Sequence, residues 1–586
     1  MNKKNKNIKK EKMINTLPII KETEWDRWVE NSKKYPDRDA FIHWVAGEEP
    51  FRWTFSSLLK AAESFAVGFK RKGVKRGDVC ATIIRHNKYF YPIYLAISSI
   101  GAIPSVLAYP NPRLHPEKFR QGLEGMSKRS GLDWILTERE LSEVVDPLIT
   151  KDDSTIRGSF FPLEWEKDLK FEGKELEEIE KVRADISVSD PVLLQHSSGT
   201  TGLQKPVLLS HKAILDFVTN YAKSLDLSPN DKIISWLPLY HDMGLIAAFH
   251  LPLAFGIPTV QIDTFEWIMV PSLILEAISK EKGTITWQPN FAYNILADKV
   301  HEDEIEGISL ESMRLFINCS EPVRDRSNNL FFDRYKKYGV KEKSLSSSYG
   351  MAEVTFLATQ TPAGEKLKSL TVNRQKLKQG IVELVTNGDN SRVCCSSGKI
   401  IDGCEIKIID EEGNELEEGF VGEIVVKSVS MFDGYRNYPE KTAAVLKDGW
   451  YFSGDYGFCY NDYYYIIGRK KDIIIVAGNN VYPEDVEDLV SQVKDVIPGR
   501  VIAFGEDDED IGSEQISVVA ETKTSNEEDH KKLKFAIIKA GMTDDINIKK
   551  VYLVPPRWLI KSSAGKPSRK ANRERLVEDK EIIKWS

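Results

Sequence analysis

Short apolar runs alternate with helix-patterned segments along most of this 586-residue chain, and that alternation limits the fold more than any single residue does. Val79–Ile84 is followed by the helical pattern of Tyr89–Ile100, and Ile233–Leu237 is followed later by that of Val270–Ile278. A strand that returns parallel to its predecessor needs a crossover of helical length, so the pattern predicts an α/β fold with substantially parallel strands. The chain is too long for one compact core. Its end reads differently. Val486, Leu489, Val490 and Val493 fall at i, i+3, i+4 and i+7, which predicts an amphipathic helix over Pro483–Val493. Strands Val501–Phe504 and Ile516–Ala520, a helix near Glu527–Lys539 and a strand Val551–Val554 complete a small α+β unit. The polar Gly468–Asp472 segment marks the junction, giving a large α/β domain over 16–470 and a small mobile domain over 471–586.

Composition narrows the function. A net charge of −7 offers no basic surface for nucleic acid, which points to a small-molecule substrate. The six cysteines contain no C-x-x-C pair, and isolated thiols in a chain this long fit a reducing cytoplasm. Lysine-rich residues 1–15 read as a disordered tail, since no clear apolar core follows the basic start. Tyr89–Pro110 has the length of a membrane span, but Pro92, Ser98, Ser99, Gly101 and Pro104 divide it into a short helix and a buried strand. No stable membrane insertion is expected.

Pro191–Pro206 reads PVLLQHSSGTTGLQKP. Ser197, Ser198, Gly199, Thr200, Thr201 and Gly202 supply hydroxyls and small side chains that can fold backbone N–H groups around phosphate oxygens, with Lys205 adding a positive charge. The G-x-x-x-x-G-K-[ST] pattern is absent, and Val207–Leu209 continues as strand. Such residues equally suit a plain hairpin turn, and the loop by itself does not choose between the two.

Further segments resolve that choice. SWLPLYHDMGLI (235–246), NCSEPVR (318–324), SYGMAE (348–353), GWYFSGD (449–455), GRKKD (468–472) and SAGKPSRK (563–570) follow the loop SSGTTGLQK (197–205) in order. The chain thereby resembles the acyl-adenylate-forming superfamily of acyl-CoA synthetases, fatty acyl-AMP ligases, peptide-synthetase adenylation domains and luciferases. The resemblance implies ATP and Mg2+ as cofactors and a carboxylic acid as substrate. Displacing pyrophosphate from the α-phosphate crowds negative charge, so such a site needs cations and oriented donors. By resemblance, Glu353 and a loop threonine (Thr200 or Thr201) hold the metal, and Asp455 accepts the ribose hydroxyls. Arg469 serves ribose or phosphate, while Ser320, Glu321 and Tyr349, with Gly350, Met351 and Ala352, frame the adenine. Lys566 is the catalytic cation, against the plainer alternative of a basic surface run with Lys561, Arg569, Lys570 and Arg573. Lys471 corresponds to the pivot about which the small domain turns; a plain surface lysine is the alternative.

HDMGL (241–245), PNFAYN (289–294) and YPEDVE (482–487) resemble fatty acyl-AMP ligases most. In that branch His241 gates the acyl tunnel, with Gly244, Trp287 and Asn290 along it. A segment within 354–395, including 364–385, matches an insertion that packs between the domains and disfavours CoA, so the acyl group passes to an acyl carrier protein. The alternative is a surface hairpin with CoA as acceptor. A non-enzymatic alternative is a nucleotide- or acyl-binding regulator. Three residues depart from the pattern: Pro206 after Lys205, Cys319 at a usual glycine, and Trp287 at a usual small residue, which implies a shortened tunnel and a short or medium acyl chain.

Overall fold

The apolar runs become the strands of two parallel-rich sheets. The computed structural model describes residues 22–110, 116–149, 151–152, 154–165, 173–197, 204–386, 388, 390–476, 479–508, 513–543, 546–561 and 567–579. Residues 1–21, which include the basic tail, lie outside this set.

The larger sheet has nine strands in the spatial order 399–400, 359–360, 345–349, 315–319, 285–289, 233–235, 259–262, 39–44 and 51–54. From 345–349 to 39–44 every neighbouring pair is parallel, and both edges finish antiparallel. Ile285–Pro289 and Leu315–Cys319 are buried along their whole length, as strands covered on both faces must be. A second sheet, 103–106, 79–83, 134–137 and 158–160, is parallel throughout. Phe90–Ser99 is a helix and Ile103–Val106 a strand, so the long apolar stretch is core. No helix among the described residues is long and apolar enough to cross a membrane.

An antiparallel five-stranded sheet also forms, from Cys404–Ile409, Gly422–Ser428, Leu446–Lys447, Trp450–Tyr460 and Tyr463–Arg469. The alternation of strand and helix did not announce it, because no helix intervenes there. The short turn Lys470–Asp472 ends it.

The C-terminal unit has the expected elements with longer strands. Val496–Asp508 pairs antiparallel with Ser513–Thr522, which pairs parallel with Ile548–Val554. Helices Pro483–Ser491 and Glu527–Thr543 cover a separate apolar cluster that includes Val486, Val490, Val518, Ile537 and Leu553. Within the segment expected as an insertion, Thr359–Gln360 belongs to the large sheet, while Ser369–Asn373 and Ser391–Cys395 form a hairpin. The hairpin packs against the end of the antiparallel sheet and against Tyr482, through Val372, Leu377, Cys394, Tyr465 and Ile467.

Candidate active site

Carboxyl ends of adjacent parallel strands form a natural crevice for ligands, because each chain must leave the sheet there. Four neighbouring strands end in expected site segments. Ile233–Ser235 leads to His241, Ile285–Pro289 to Asn290, Leu315–Cys319 to Ser320 and Glu321, and Leu345–Tyr349 to Gly350 and Glu353. Segments far apart in the chain thus meet along one sheet edge.

Each segment has a local reason for its shape. Ser320 adopts a left-handed conformation (φ +67°), which turns the chain sharply out of its strand. Gly350 admits no side chain, because a Cβ there would lie 2.1 Å from the Phe356 carbonyl oxygen. Gly244 is constrained likewise, its Cβ position being 2.4 Å from the Pro238 carbonyl oxygen, so the 236–244 turn folds tightly on itself. The π-helical Met243–His250 follows it. His241 Nδ1 lies 2.6 Å from Asp242 Oδ1, and Met243 Sδ lies 3.0 Å from Cys319 Sγ. The gate segment therefore touches the Cys319–Ser320 turn.

The ribose-side residues form one cluster. Tyr349 Oη donates to Asp455 Oδ2 (2.8 Å), and Arg469 Nε lies 3.1 Å from Asp455 Oδ1. Asp455 and Arg469 face each other in register on adjacent antiparallel strands. Burial, then the Asp455 charge, pushes the Tyr349 phenol well up, whereas Asp455 raises the Arg469 guanidinium. Lys471 reaches the same cluster: burial lowers its ammonium, Asp472 opposes that, and Arg469 and Lys205 lower it further.

Glu353 is buried (5% exposed) and accepts from Tyr435 Oη at 2.6 Å. Tyr435 Oη accepts in turn from Lys205 Nζ at 3.1 Å. No group of three or more His, Cys, Asp or Glu side chains among the described residues could hold a metal. A single buried carboxylate nevertheless fits Mg2+, which is commonly held by one or two carboxylates together with substrate phosphates and water.

The loop strands form an antiparallel hairpin in which Ser197 faces Lys205. Ser198, Gly199, Thr200, Thr201 and Gly202 lie outside the described residues, as does Lys566. The flanks of the Lys566 stretch are placed: Lys561 and Pro567 pair across it. The Lys561 ammonium is pushed down to about 8, chiefly by burial and next by Arg500, with the Glu321 carboxylate pulling the other way. That flank accordingly faces the Ser320–Glu321 turn.

Two tunnel expectations meet different surroundings. Trp287 is fully buried, and its Nε1 donates to Tyr221 Oη (2.8 Å), which donates to Gln360 Oε1 (2.9 Å). It lies opposite Ile317 in the sheet and two residues along from Cys319 on the same face. Asn290 accepts from Asn318 Nδ2 (3.0 Å) and Arg324 N (3.1 Å) and donates to Ser327 Oγ (3.1 Å). Its side chain ties the 318–327 turn together rather than facing an acyl chain.

Sequence reasoning missed several residues. Tyr435 is one, and Gln195 another: its Nε2 donates to the Tyr240 carbonyl (2.9 Å), fixing the loop strand to the His241 segment. Between the two units, Asp485 lies 2.8 Å from Arg392 of the hairpin and 3.6 Å from Arg324, which also donates to the Glu484 carbonyl (2.9 Å). Neutral polar side chains carry no sequence signal for such roles; YPEDVE alone hinted at the last contact.

Comparison with known proteins agrees with this geometry. A Mycobacterium tuberculosis protein named "Probable long-chain-fatty-acid--AMP ligase FadD30" is 31% identical over 64% of this chain and 68% of its own length. The "Medium-chain-fatty-acid--[acyl-carrier-protein] ligase JamA" of Moorena producens is 29% identical over 68% of this chain and 69% of its own. A structure from a study of fatty acyl-adenylate ligases of E. coli and L. pneumophila shares the fold, with a TM-score of 0.83, 23% identity, and coverage of 95% of this chain and 98% of that one. The model of the AMP-binding enzyme family matches residues 28–436, well over half of the sequence, and this chain belongs to that family.

Proposed function

We propose that the protein uses ATP to convert a fatty acid into its acyl-adenylate, releasing pyrophosphate, and then passes the acyl group to the phosphopantetheine thiol of an acyl carrier protein. The observation that carries this is the meeting of three groups at one sheet edge: Lys205 below the glycine-rich loop, buried Glu353, and the Tyr349–Asp455–Arg469 cluster. Cation, metal carboxylate and ribose acceptor are what a Mg2+-bound adenine nucleotide needs.

In this reading Asp455 accepts the ribose hydroxyls and Arg469 holds its charge. Lys205 draws the phosphates towards the loop. Glu353 would hold Mg2+ with a loop threonine, and the metal when bound neutralises charge on the phosphates. His241 stands where the acid enters beside the α-phosphate, and its carboxylate oxygen attacks phosphorus as the bond to pyrophosphate breaks. Lys566 supplies the cation most needed as charge builds in the transition state. Lys471 is the pivot at which the small domain, from 471 onward, turns between half-reactions.

Two contacts support a carrier protein as acceptor: the hairpin packs on Tyr482, and Arg392 grips Asp485. Both would resist the turning that a small free thiol such as CoA exploits. JamA, a relative named as an acyl-carrier-protein ligase, points the same way. The proposed compartment is the cytoplasm, where the six free cysteines would stay reduced.

Acid-dependent exchange of pyrophosphate with ATP tests the adenylation, with the products identified by mass spectrometry after adding CoA or a holo carrier protein. No exchange across a broad acid panel refutes the reading, and acyl-CoA as the main product refutes the acceptor. Lys566→Ala is expected to abolish exchange while ATP still binds.

A further inference from the structure

Between the strand that leaves the glycine-rich loop and the buried glutamate stands a phenol to which no role has been given. Tyr435 is 4% exposed, and its Oη bridges Lys205 Nζ (3.1 Å) and Glu353 Oε1 (2.6 Å). The ammonium also sits 4.9 Å from the ring centroid. Backbone bonds on both sides hold the phenol there. Leu208 N donates to the Gly434 carbonyl (3.1 Å), Asp433 N to that of Leu208 (2.9 Å) and Arg436 N to that of Pro206 (2.9 Å). On the other side Phe432 N donates to the carbonyl of Glu353 itself (2.9 Å). Burial, then the Glu353 charge, raises the phenol, so it keeps its proton at neutral pH.

A lysine and a glutamate this close would ordinarily form a salt bridge. That bridge would use the ammonium a phosphate needs and the carboxylate a metal needs. We infer that Tyr435 is a positioning residue that prevents this pairing, holding Lys205 towards the loop and Glu353 towards the metal that accompanies the nucleotide. An ammonium has three donors and a carboxylate about four acceptor sites, so one bond each to the phenol leaves capacity for the ligand. The inference rests on the nucleotide reading above and adds the device that keeps the site open.

Tyr435→Phe removes one oxygen and keeps the ring. The measurements are the affinity of a Mg2+-bound, α,β-methylene ATP analogue by calorimetry, the Mg2+ half-saturation of pyrophosphate exchange, and the melting temperature. A hydrogen bond to a charged group corresponds to about a tenfold change or more, so analogue affinity falls about tenfold and the Mg2+ half-saturation rises several-fold. Lys205→Met, with Tyr435 in place, also raises the Mg2+ half-saturation, and the double variant falls short of the product of the two effects. Wild-type analogue affinity and Mg2+ dependence in Tyr435→Phe overturn the inference. So does strict additivity. If Tyr435→Phe does not fold, unchanged Mg2+ dependence in Lys205→Met overturns it. A wild-type chain that binds no Mg2+-bound analogue refutes instead the reading beneath.

Discussion

A single methyl group at Gly350 tests how packing aims the proposed metal carboxylate. A Cβ there would meet Phe356 O at 2.1 Å, Leu357 Cα at 2.3 Å and Leu357 N at 2.9 Å, all main-chain atoms. Ordinary carbon contacts begin near 3.5 Å, so one of the two segments must shift by roughly 1 Å or more. Residues 356–358 are poorly placed to yield. Phe356, Leu357 and Ala358 are buried, and Ala358 N donates to the Tyr349 carbonyl (2.8 Å). The shift therefore falls on the turn from Gly350 to Val354, which carries Glu353. Overpacking of this kind costs about 1–3 kcal/mol, a fall of a few degrees in melting temperature for a chain of this size. Activity suffers more, because a misplacement of about 1 Å at a reacting centre removes about 100-fold of rate. Gly350→Ala is accordingly expected to lose about 100-fold in kcat/KM of acid-dependent pyrophosphate exchange while melting only a few degrees early. Gly413→Ala is the control. Its φ of +87° makes alanine strained there, but nothing lies within 4 Å of the new carbon. It should destabilise by about 1 kcal/mol and leave exchange intact. Exchange within threefold of wild type in Gly350→Ala would refute the reasoning.

Four further outcomes are expected. Asp455→Asn removes the charge that faces Tyr349 and Arg469, and should raise KM for ATP about 10- to 100-fold with a smaller change in kcat; an unchanged KM excludes the ribose role. His196, buried with Ser105 and Ser130 hydroxyls on its two nitrogens, is lowered by burial, then Arg129, to about 4. A lowered folded value means that the unfolded chain binds the proton more readily, so about 3 kcal/mol of stability, present above pH 6.5, is lost as pH falls through 4; urea titrations of His196→Gln should lack that share of the slope. Trp287→Ala should destabilise by about 3–5 kcal/mol and move the acid preference towards longer chains, and an unchanged chain-length profile, measured also in Trp287→Leu, counts against a tunnel role. Asp485→Asn weakens the contacts with Arg392 and Arg324 and should raise the yield of acyl-CoA when CoA is supplied, which product analysis would detect.

Legibility in the sequence followed how each element meets its surroundings. Strands such as Ile285–Pro289 are covered on both faces, so burial acts on every residue and leaves a continuous apolar run. Trp450–Tyr460 mixes buried and half-buried positions with Ser453, Gly454 and Asp455, because that strand also carries site residues, and its antiparallel sheet went unannounced. The site divides in the same way. Lysine, glutamate and aspartate signal themselves, since a charge placed among small residues needs a reason. Tyr435 does not, because an aromatic beside a glycine is ordinary core until its two partners are known. Those partners lie 82 and 230 residues away in the chain, a distance that only the folded sheet closes. Asn290 is the converse case. Its motif matched the acyl-binding branch, yet its amide bonds Asn318, Arg324 and Ser327, so the residue stays where it is to hold the turn that presents Ser320 and Glu321. A motif thus fixes which residues stand near a site, and only their hydrogen-bond partners decide which of them remain available to a ligand.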